Sequence, residues 1–116
     1  MKKIIYLFLF FVIIFIGCSN IEIFNYEKDA PEWLKVKIDS VTTTNPKYYG
    51  GMKVFRYEWN NQFVYHFSIP ASSCVYCEVY EQNGKKIQFT NKEVISDFEQ
   101  NKMNKVLVWD WFSNYK

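Results

Sequence analysis

The sequence predicts an α+β fold: a single two-layer domain with a mostly antiparallel sheet of about five strands and two helices, in the order α-β-β-β-β-α-β. Three observations predict it. From Met52 onward apolar and polar residues alternate with period two, in two stretches that each contain a turn dipeptide, Asn60-Asn61 and Asn83-Gly84. Two other segments open on capping-box spacings, Asp29 with Glu32 and Thr90 with Glu93, and continue with apolar residues at helical spacing. A last alternating run over residues 106–112 closes the chain with one more strand.

Taken in order, the first helix starts near Asp29, with Pro31 in the first turn where no amide partner is lost, and presents Leu34, Ile38 and Val41 on one face. Residues 42–51 contain Asn45-Pro46 and Gly50-Gly51 and read as a loop. Phe55, Tyr57 and Trp59, then Phe63, Tyr65, Phe67 and Ile69, are all apolar at odd positions, and they form a hairpin. Placing these odd positions on one buried face requires an odd-length connection. A three-residue loop is therefore expected, Trp59 to Asn61, with Asn61 left-handed and Arg56, Glu58, His66 and Ser68 facing away from the core.

A second hairpin follows. Val75, Cys77 and Val79 alternate with Tyr76, Glu78 and Tyr80, and Ile87 and Phe89 return after Asn83-Gly84. A three-residue loop ending at Gly84 sets Val79 opposite Ile87, Cys77 opposite Phe89 and Glu81 beside Lys85. The second helix then runs from the Thr90 cap through Val94, Ile95 and Phe98 to about Lys102, with Phe89 and Val94 at staple spacing. In the final strand Leu107, Trp109 and Trp111 share one side.

Ahead of this domain, Lys2 and Lys3 precede an unbroken apolar run over residues 4–16, which ends at Gly17, Cys18, Ser19 and Asn20. Thirteen apolar residues fall short of the roughly 20 that a helix needs to cross a bilayer core, and fit the apolar region of a secretion signal. Phe15-Ile16-Gly17-Cys18 resembles the lipobox of bacterial lipoproteins. That resemblance implies removal of residues 1–17 and lipidation of Cys18, an export address, and permanent attachment to the envelope membrane, with the outer membrane, on its periplasmic or surface side, the expected one. Residues 18–28 then form the lipidated cysteine and a tether, and residues 29–116 the domain.

Removing the first 17 of 116 residues leaves 99, enough for one core. It also removes two of the fourteen basic residues, so twelve remain against twelve acidic ones. A formally neutral domain with no basic stripe argues against nucleic acid as a partner. Three cysteines are an odd number for an exported protein, and assigning Cys18 to lipid leaves Cys74 and Cys77 as a candidate disulfide in a compartment where such bonds persist.

Pro31-Glu32-Trp33-Leu34, Val54-Phe55-Arg56-Tyr57, Phe63-Val64-Tyr65, a cysteine-bearing turn, and Val79-Tyr80 before Asn83-Gly84 together resemble a family of small lipoproteins of Gram-negative bacteria without an assigned activity. The similarity covers residues 31–89; the family carries adjacent cysteines where this chain has Cys74 and Cys77 separated by two residues. It implies a fold and an address, and no chemistry.

No catalytic constellation is recognisable. Cys74-Val75-Tyr76-Cys77 has thiol-oxidoreductase spacing, but it leads into a strand rather than opening a helix whose dipole would lower a thiolate pKa. The bridge itself requires Cys74 to lie in the turn over residues 70–73, since residues three apart on a strand face opposite sides. His66 with the two cysteines supplies three ligands where a structural zinc site needs four, so no metal and no cofactor is expected. The favoured reading is a non-enzymatic envelope module that binds a protein or glycan through Tyr76, Tyr80, Trp109 and Trp111, because Tyr and Trp supply large contact area at small entropy cost. Burial of those rings beneath the last helix is the competing placement. The alternative function is a thiol redox or other cysteine-dependent accessory using Cys74 and Cys77.

Overall fold

The computed structural model describes residues 24–114, so the expected leader and Cys18 lie outside the described residues. Within them the α+β class holds: four antiparallel strands form one sheet, and five helical segments surround it. The strands are β1 (Lys53–Trp59), β2 (Gln62–Ser68), β3 (Val79–Glu81) and β4 (Met103–Asp110), in the spatial order β3-β2-β1-β4. The helices are α1 (Tyr26–Asp29), α2 (Glu32–Thr44), α3 (Pro46–Tyr49), α4 (Lys92–Asn101) and α5 (Trp111–Asn114).

The first hairpin departs from expectation at its turn. Asn60 and Asn61 both have positive φ, 52° and 60°, and Trp59 pairs directly with Gln62. Two consecutive left-handed residues make the two-residue turn whose twist matches that of the flanking strands, and Asn adopts that conformation more readily than most side chains. The register is therefore Val54 opposite Phe67, Arg56 opposite Tyr65, Tyr57 opposite Val64 and Glu58 opposite Phe63. Residues directly opposite share a face, so the odd positions of β1 lie with the even positions of β2. The expectation of a single face formed by all the odd residues is overturned.

Both faces are consequently apolar and both are covered. On one, Leu34 and Ile38 of α2 pack with Val54, Tyr65, Phe67, Tyr80 and Trp109. On the other, Phe98 of α4 packs with Tyr57, Trp59, Val64 and Val79. Phe98 is fully buried and meets Trp59 edge-on, with ring centroids 5.2 Å apart, and Tyr57 at 6.0 Å. His66 sits on this second face opposite Phe55 and is buried, correcting its placement on an open side.

Each helix boundary shifts for a local reason. Asn25 rather than Asp29 begins the helical region: its side chain accepts from the Lys28 amide, and Asp29 accepts from the Asn25 amide. This closes the single turn α1, after which Pro31, which carries no amide hydrogen, leads into α2. Phe24 and Tyr26 pack against the α2-side core, so residues 24–28, expected as tether, belong to the folded domain. Helix α2 continues to Thr44, past the point where a loop was expected, and buried Thr42 returns its hydroxyl to the Ile38 carbonyl at 2.7 Å. At α4 the cap is Asn91, one residue beyond Thr90, with its side chain accepting from the Val94 amide at 2.9 Å.

The second hairpin has the expected register over a shorter length. Glu81 donates its amide to the Lys85 carbonyl and Ile87 to the Val79 carbonyl, across a loop ending at Gly84 with φ 93°. Regular pairing stops there: Tyr80 and Lys86 make an isolated bridge, so the return segment is not a fifth strand, and residues 74–77 are held in a disulfide-closed turn instead of a strand. At the opposite edge, β4 bulges against β1 between the Val54–Trp109 and Phe55–Leu107 pairs. The bulge sends Trp109 to the α2 face and Leu107 to the other, and Trp111 has already entered α5, so these three do not share one side.

Gly84 is required twice over. Its φ favours glycine, and an added Cβ would lie 3.0 Å from the Trp33 ring, whose Nε1 donates to the Gln82 carbonyl at 2.8 Å. Trp33 thus fastens α2 to the turn after β3. Gly84→Ala is expected to lower stability by about 1–3 kcal/mol in denaturant melts, with altered Trp fluorescence as the indole is displaced. Phe98→Ala, which empties the α4-side core, should cost about 3–5 kcal/mol in the same measurement.

Candidate functional site

Two clefts lie on the α4 side and around the turn end of the sheet. The first, of about 610 Å³, is built where β1 ends, β2 begins and β4 starts, and is completed by the turn after β3 and the last turn of α4. Trp59 forms part of its wall. The indole Nε1 donates to Asp97 Oδ2 at 2.9 Å, and the other oxygen of Asp97 accepts from Asn101 Nδ2 at 2.7 Å. Asp97 and Asn101 stand four apart on α4, which stacks them on one helix face. One carboxylate therefore fixes both the aromatic ring and a carboxamide.

The rest of the wall is unusually rich in carboxamides. Asn60 and Asn61 come from the turn, Gln62 from the start of β2, and Gln82 from the turn after β3, where its Oε1 accepts from the Phe63 amide at 3.4 Å. Glu58 adds a second carboxylate, held by the side-chain amide of Asn104, a residue with φ 55° beside a bulge of β4. Phe63 and Met103 supply apolar surface, and the Arg56 guanidinium covers one face of Phe63 at 4.1 Å. Among the described residues that line the cleft, none is Lys, Arg or His.

The second cleft, of about 490 Å³, is lined by the disulfide segment and by Ile87, Phe89, Ile95 and Glu99. Cys74 and Cys77 are bonded to each other, with Cα atoms 5.6 Å apart, in the irregular chain between β2 and β3. Val75, 66 % exposed, forms the crest of that loop. Beneath it, Tyr76 packs on Phe89 and Phe98 at centroid distances of 5.7 and 5.3 Å. Burial is the main reason its phenol is pushed up to about 12, with a hydrogen bond to Glu99 adding to the shift. The Lys102 ammonium lies over the Tyr57, Phe98 and Tyr76 rings at 4.7, 5.0 and 5.3 Å. Burial against these rings also lowers its pKa.

The four aromatic residues expected to form a binding platform are thus dispersed. Tyr80 and Trp109 are core residues on the α2 face, with Trp33 5.9 Å from Tyr80 and Trp111 standing edge-on to Trp109 at 6.4 Å. Tyr76 lies on the other face and is half-buried. Alternation along the strand placed Tyr80 and Val79 on opposite faces correctly, but helix α2 covers the face that Tyr80 occupies. The sequence reading missed Trp59, Gln62, Gln82, Asp97 and Asn101 as a group, since they come from four elements and share no spacing. The hydrogen bond between Trp59 and Asp97, 38 residues apart, is what joins them. Among the described residues, no group of three or more His, Cys, Asp or Glu side chains is placed to hold a metal, and no helix is long and apolar enough to cross a membrane.

Compared with models of known protein families, with curated proteins and with solved structures, the chain matches none. What fold and clefts define is a small α+β protein with an antiparallel sheet covered on both faces and a disulfide-closed loop beside its second cleft.

His66 gives this loop a titratable support. Its Nε2 donates to the Val75 carbonyl at 2.6 Å, and its ring lies 5.5 Å from that of Tyr76. Burial lowers the imidazole pKa below its usual value, the hydrogen bond to Val75 acts the other way, and Lys102 and Lys105 lower it further. Since the folded value is depressed below the unfolded one, near 6.5, the unfolded chain binds the extra proton first. Stability should then be full above about pH 6.5 and decline as pH falls below it. Denaturant midpoints at neutral pH and near pH 5 should show this decline in the native chain and a shallower one in His66→Gln.

Proposed function

We propose that the protein is an exported lipoprotein, held at the envelope membrane through lipid on Cys18, that acts as a non-enzymatic binding module for an envelope protein or glycan. The observation that carries the reading is the order of residues 2–18: two lysines, thirteen apolar residues, a glycine and a cysteine. The Cys74–Cys77 disulfide supports it independently, since such bonds persist in oxidising compartments and are rare in the cytosol. Residue 24 already packs against the core, so only a short connector separates Cys18 from the domain, which would hold the clefts close to the membrane surface.

Binding rather than catalysis is favoured by the construction of the clefts. The carboxylates of Asp97 and Glu58 are each engaged in fixing a neighbouring group, and the His66 Nε2 is engaged with the Val75 carbonyl of the disulfide loop. The second reading, a cysteine-dependent redox accessory, draws on the exposure of Cys74 and Cys77 at the mouth of the second cleft. The pair sits in an irregular loop and not at the start of a helix, so no helix dipole is available to stabilise a thiolate.

The anchor is tested by intact-mass analysis of protein extracted from membranes. The expected species begins at Cys18 and carries lipid, and Cys18→Ala should remain unprocessed and unlipidated. A Cys18→Ala protein that matures and partitions into detergent like the native one would overturn the anchor. Replacing Cys74 and Cys77 by serine separates the two functions: unchanged partner binding and phenotype eliminate the redox accessory, and loss of phenotype with binding intact supports it.

A further inference from the structure

We infer that the cleft at the turn end of the sheet is a saccharide site, selective for uncharged or amino sugars over acidic ones; this rests on the binding-module reading and names its ligand class. Sugar rings present closely spaced hydroxyls that both donate and accept, together with apolar C–H faces. The side chains that match such a surface are carboxamides and carboxylates for the hydroxyls and an aromatic ring for the C–H face. This cleft combines them: five carboxamides, two carboxylates and the half-buried Phe63 ring are among its lining residues, with Trp59, a buried core ring, completing the wall.

The turn alone does not account for this composition. Asn60 and Asn61 have a backbone reason to be Asn, as both have positive φ. Gln62, Gln82 and Asn101 do not have positive φ and arrive from β2, from the turn after β3 and from α4; Gln82 Oε1 accepts from the Phe63 amide and Asn101 Nδ2 donates to Asp97, which leaves the Gln82 amide nitrogen and the Asn101 carbonyl oxygen for a ligand. Three further carboxamides thus converge from three elements on one concavity.

The cleft is also pre-organised. Asp97 holds the Trp59 indole and the Asn101 amide, Phe98 buttresses the same indole edge-on, and Asn104 holds Glu58. Groups fixed before binding lose less entropy when a ligand arrives. At about 610 Å³ the cleft lies within the range of small-molecule sites and suits one end of a glycan better than a folded partner. Its polarity points the same way, because protein interfaces concentrate apolar residues at their centre and place polar ones at the rim. Charge sets the selectivity: Glu58 and Asp97 line the cleft, none of its lining residues is a cation, and the Arg56 guanidinium is stacked on Phe63, so an anionic sugar would meet repulsion from the lining.

The test is a ligand-observed NMR titration of the full chain in phosphocholine micelles, which carry no sugar headgroup. The probes are N,N′-diacetylchitobiose, cellobiose, maltose and, as the acidic counterpart, digalacturonate. At least one neutral disaccharide should bind with a Kd of about 10 mM or tighter, and digalacturonate at least about tenfold more weakly. Gln82→Ala and Asn101→Ala alter exposed side chains and should each weaken that binding at least about fivefold with unchanged circular dichroism. Gln88→Ala, in the second cleft, should leave it unchanged. No neutral saccharide bound, digalacturonate bound as tightly, or binding indifferent to both cleft variants would each overturn the inference. Because the titration is done in micelles, its failure is independent of the Cys18 anchor, which the mass analysis judges by itself.

Discussion

Two consecutive left-handed asparagines are the constraint on which this structure depends. Asn60 and Asn61 connect β1 to β2 in two residues, and that length alone decides which side chains lie together across the hairpin. With one residue more, the aromatic odd positions would have gathered on a single face and left the other open to water. With two, aromatics and aliphatics are divided between the faces, and neither can remain exposed. The domain needs a helix on each side because the turn leaves apolar surface on each side, with Leu34 and Ile38 serving one and Phe98 the other.

The same division explains why His66 is buried and neutral in character. It lies opposite Phe55 on the α4 side, and its ring Nε2 donates to the carbonyl of Val75 in the disulfide loop. The loop in turn occupies the space where β3 would have continued toward its amino end. Closing Cys74 to Cys77 turns the chain sharply, which keeps β3 to three residues and puts Tyr76 over Phe98 rather than in the ladder. A short edge strand flanked by an irregular loop is also a poor template for intermolecular pairing.

At the other end of the sheet the turn has a second consequence. It fixes Trp59 where Asp97 of α4 can reach its indole, and so makes a rigid wall from residues that helix and strand formation had no local reason to bring together. The long-range contacts of Trp33 do the equivalent on the α2 face, joining the helix to the Gly84 turn and to the Tyr65 and Tyr80 rings. Two tryptophans, one per face, tie the helices to the two turns of the sheet.

Local features determined much of this protein. The helical face of Leu34 and Ile38, the α4 segment that carries Phe98, the register across Asn83-Gly84, and the nearness of Cys74 to Cys77 all follow from residues within a few positions of one another, where propensity, capping and turn chemistry act. Parity is where the sequence misled: the apolar odd positions favour a three-residue connection, and the chain makes a two-residue one. Asn-Asn is compatible with a two-residue and a three-residue connection, and β1 and β2 are apolar enough at both odd and even positions that alternation alone does not choose. Turn and packing agree in the folded domain, because α2 and α4 bury both faces and so suit the register that divides the rings between them. Trp109 and Leu107 were separated by a bulge that pairing with β1 creates, and the Trp59–Asp97–Asn101 cluster exists only once α4 lies across the sheet. Contacts between residues tens of positions apart leave no period in the chain, so the core's two faces and the cleft beside them were decided by packing.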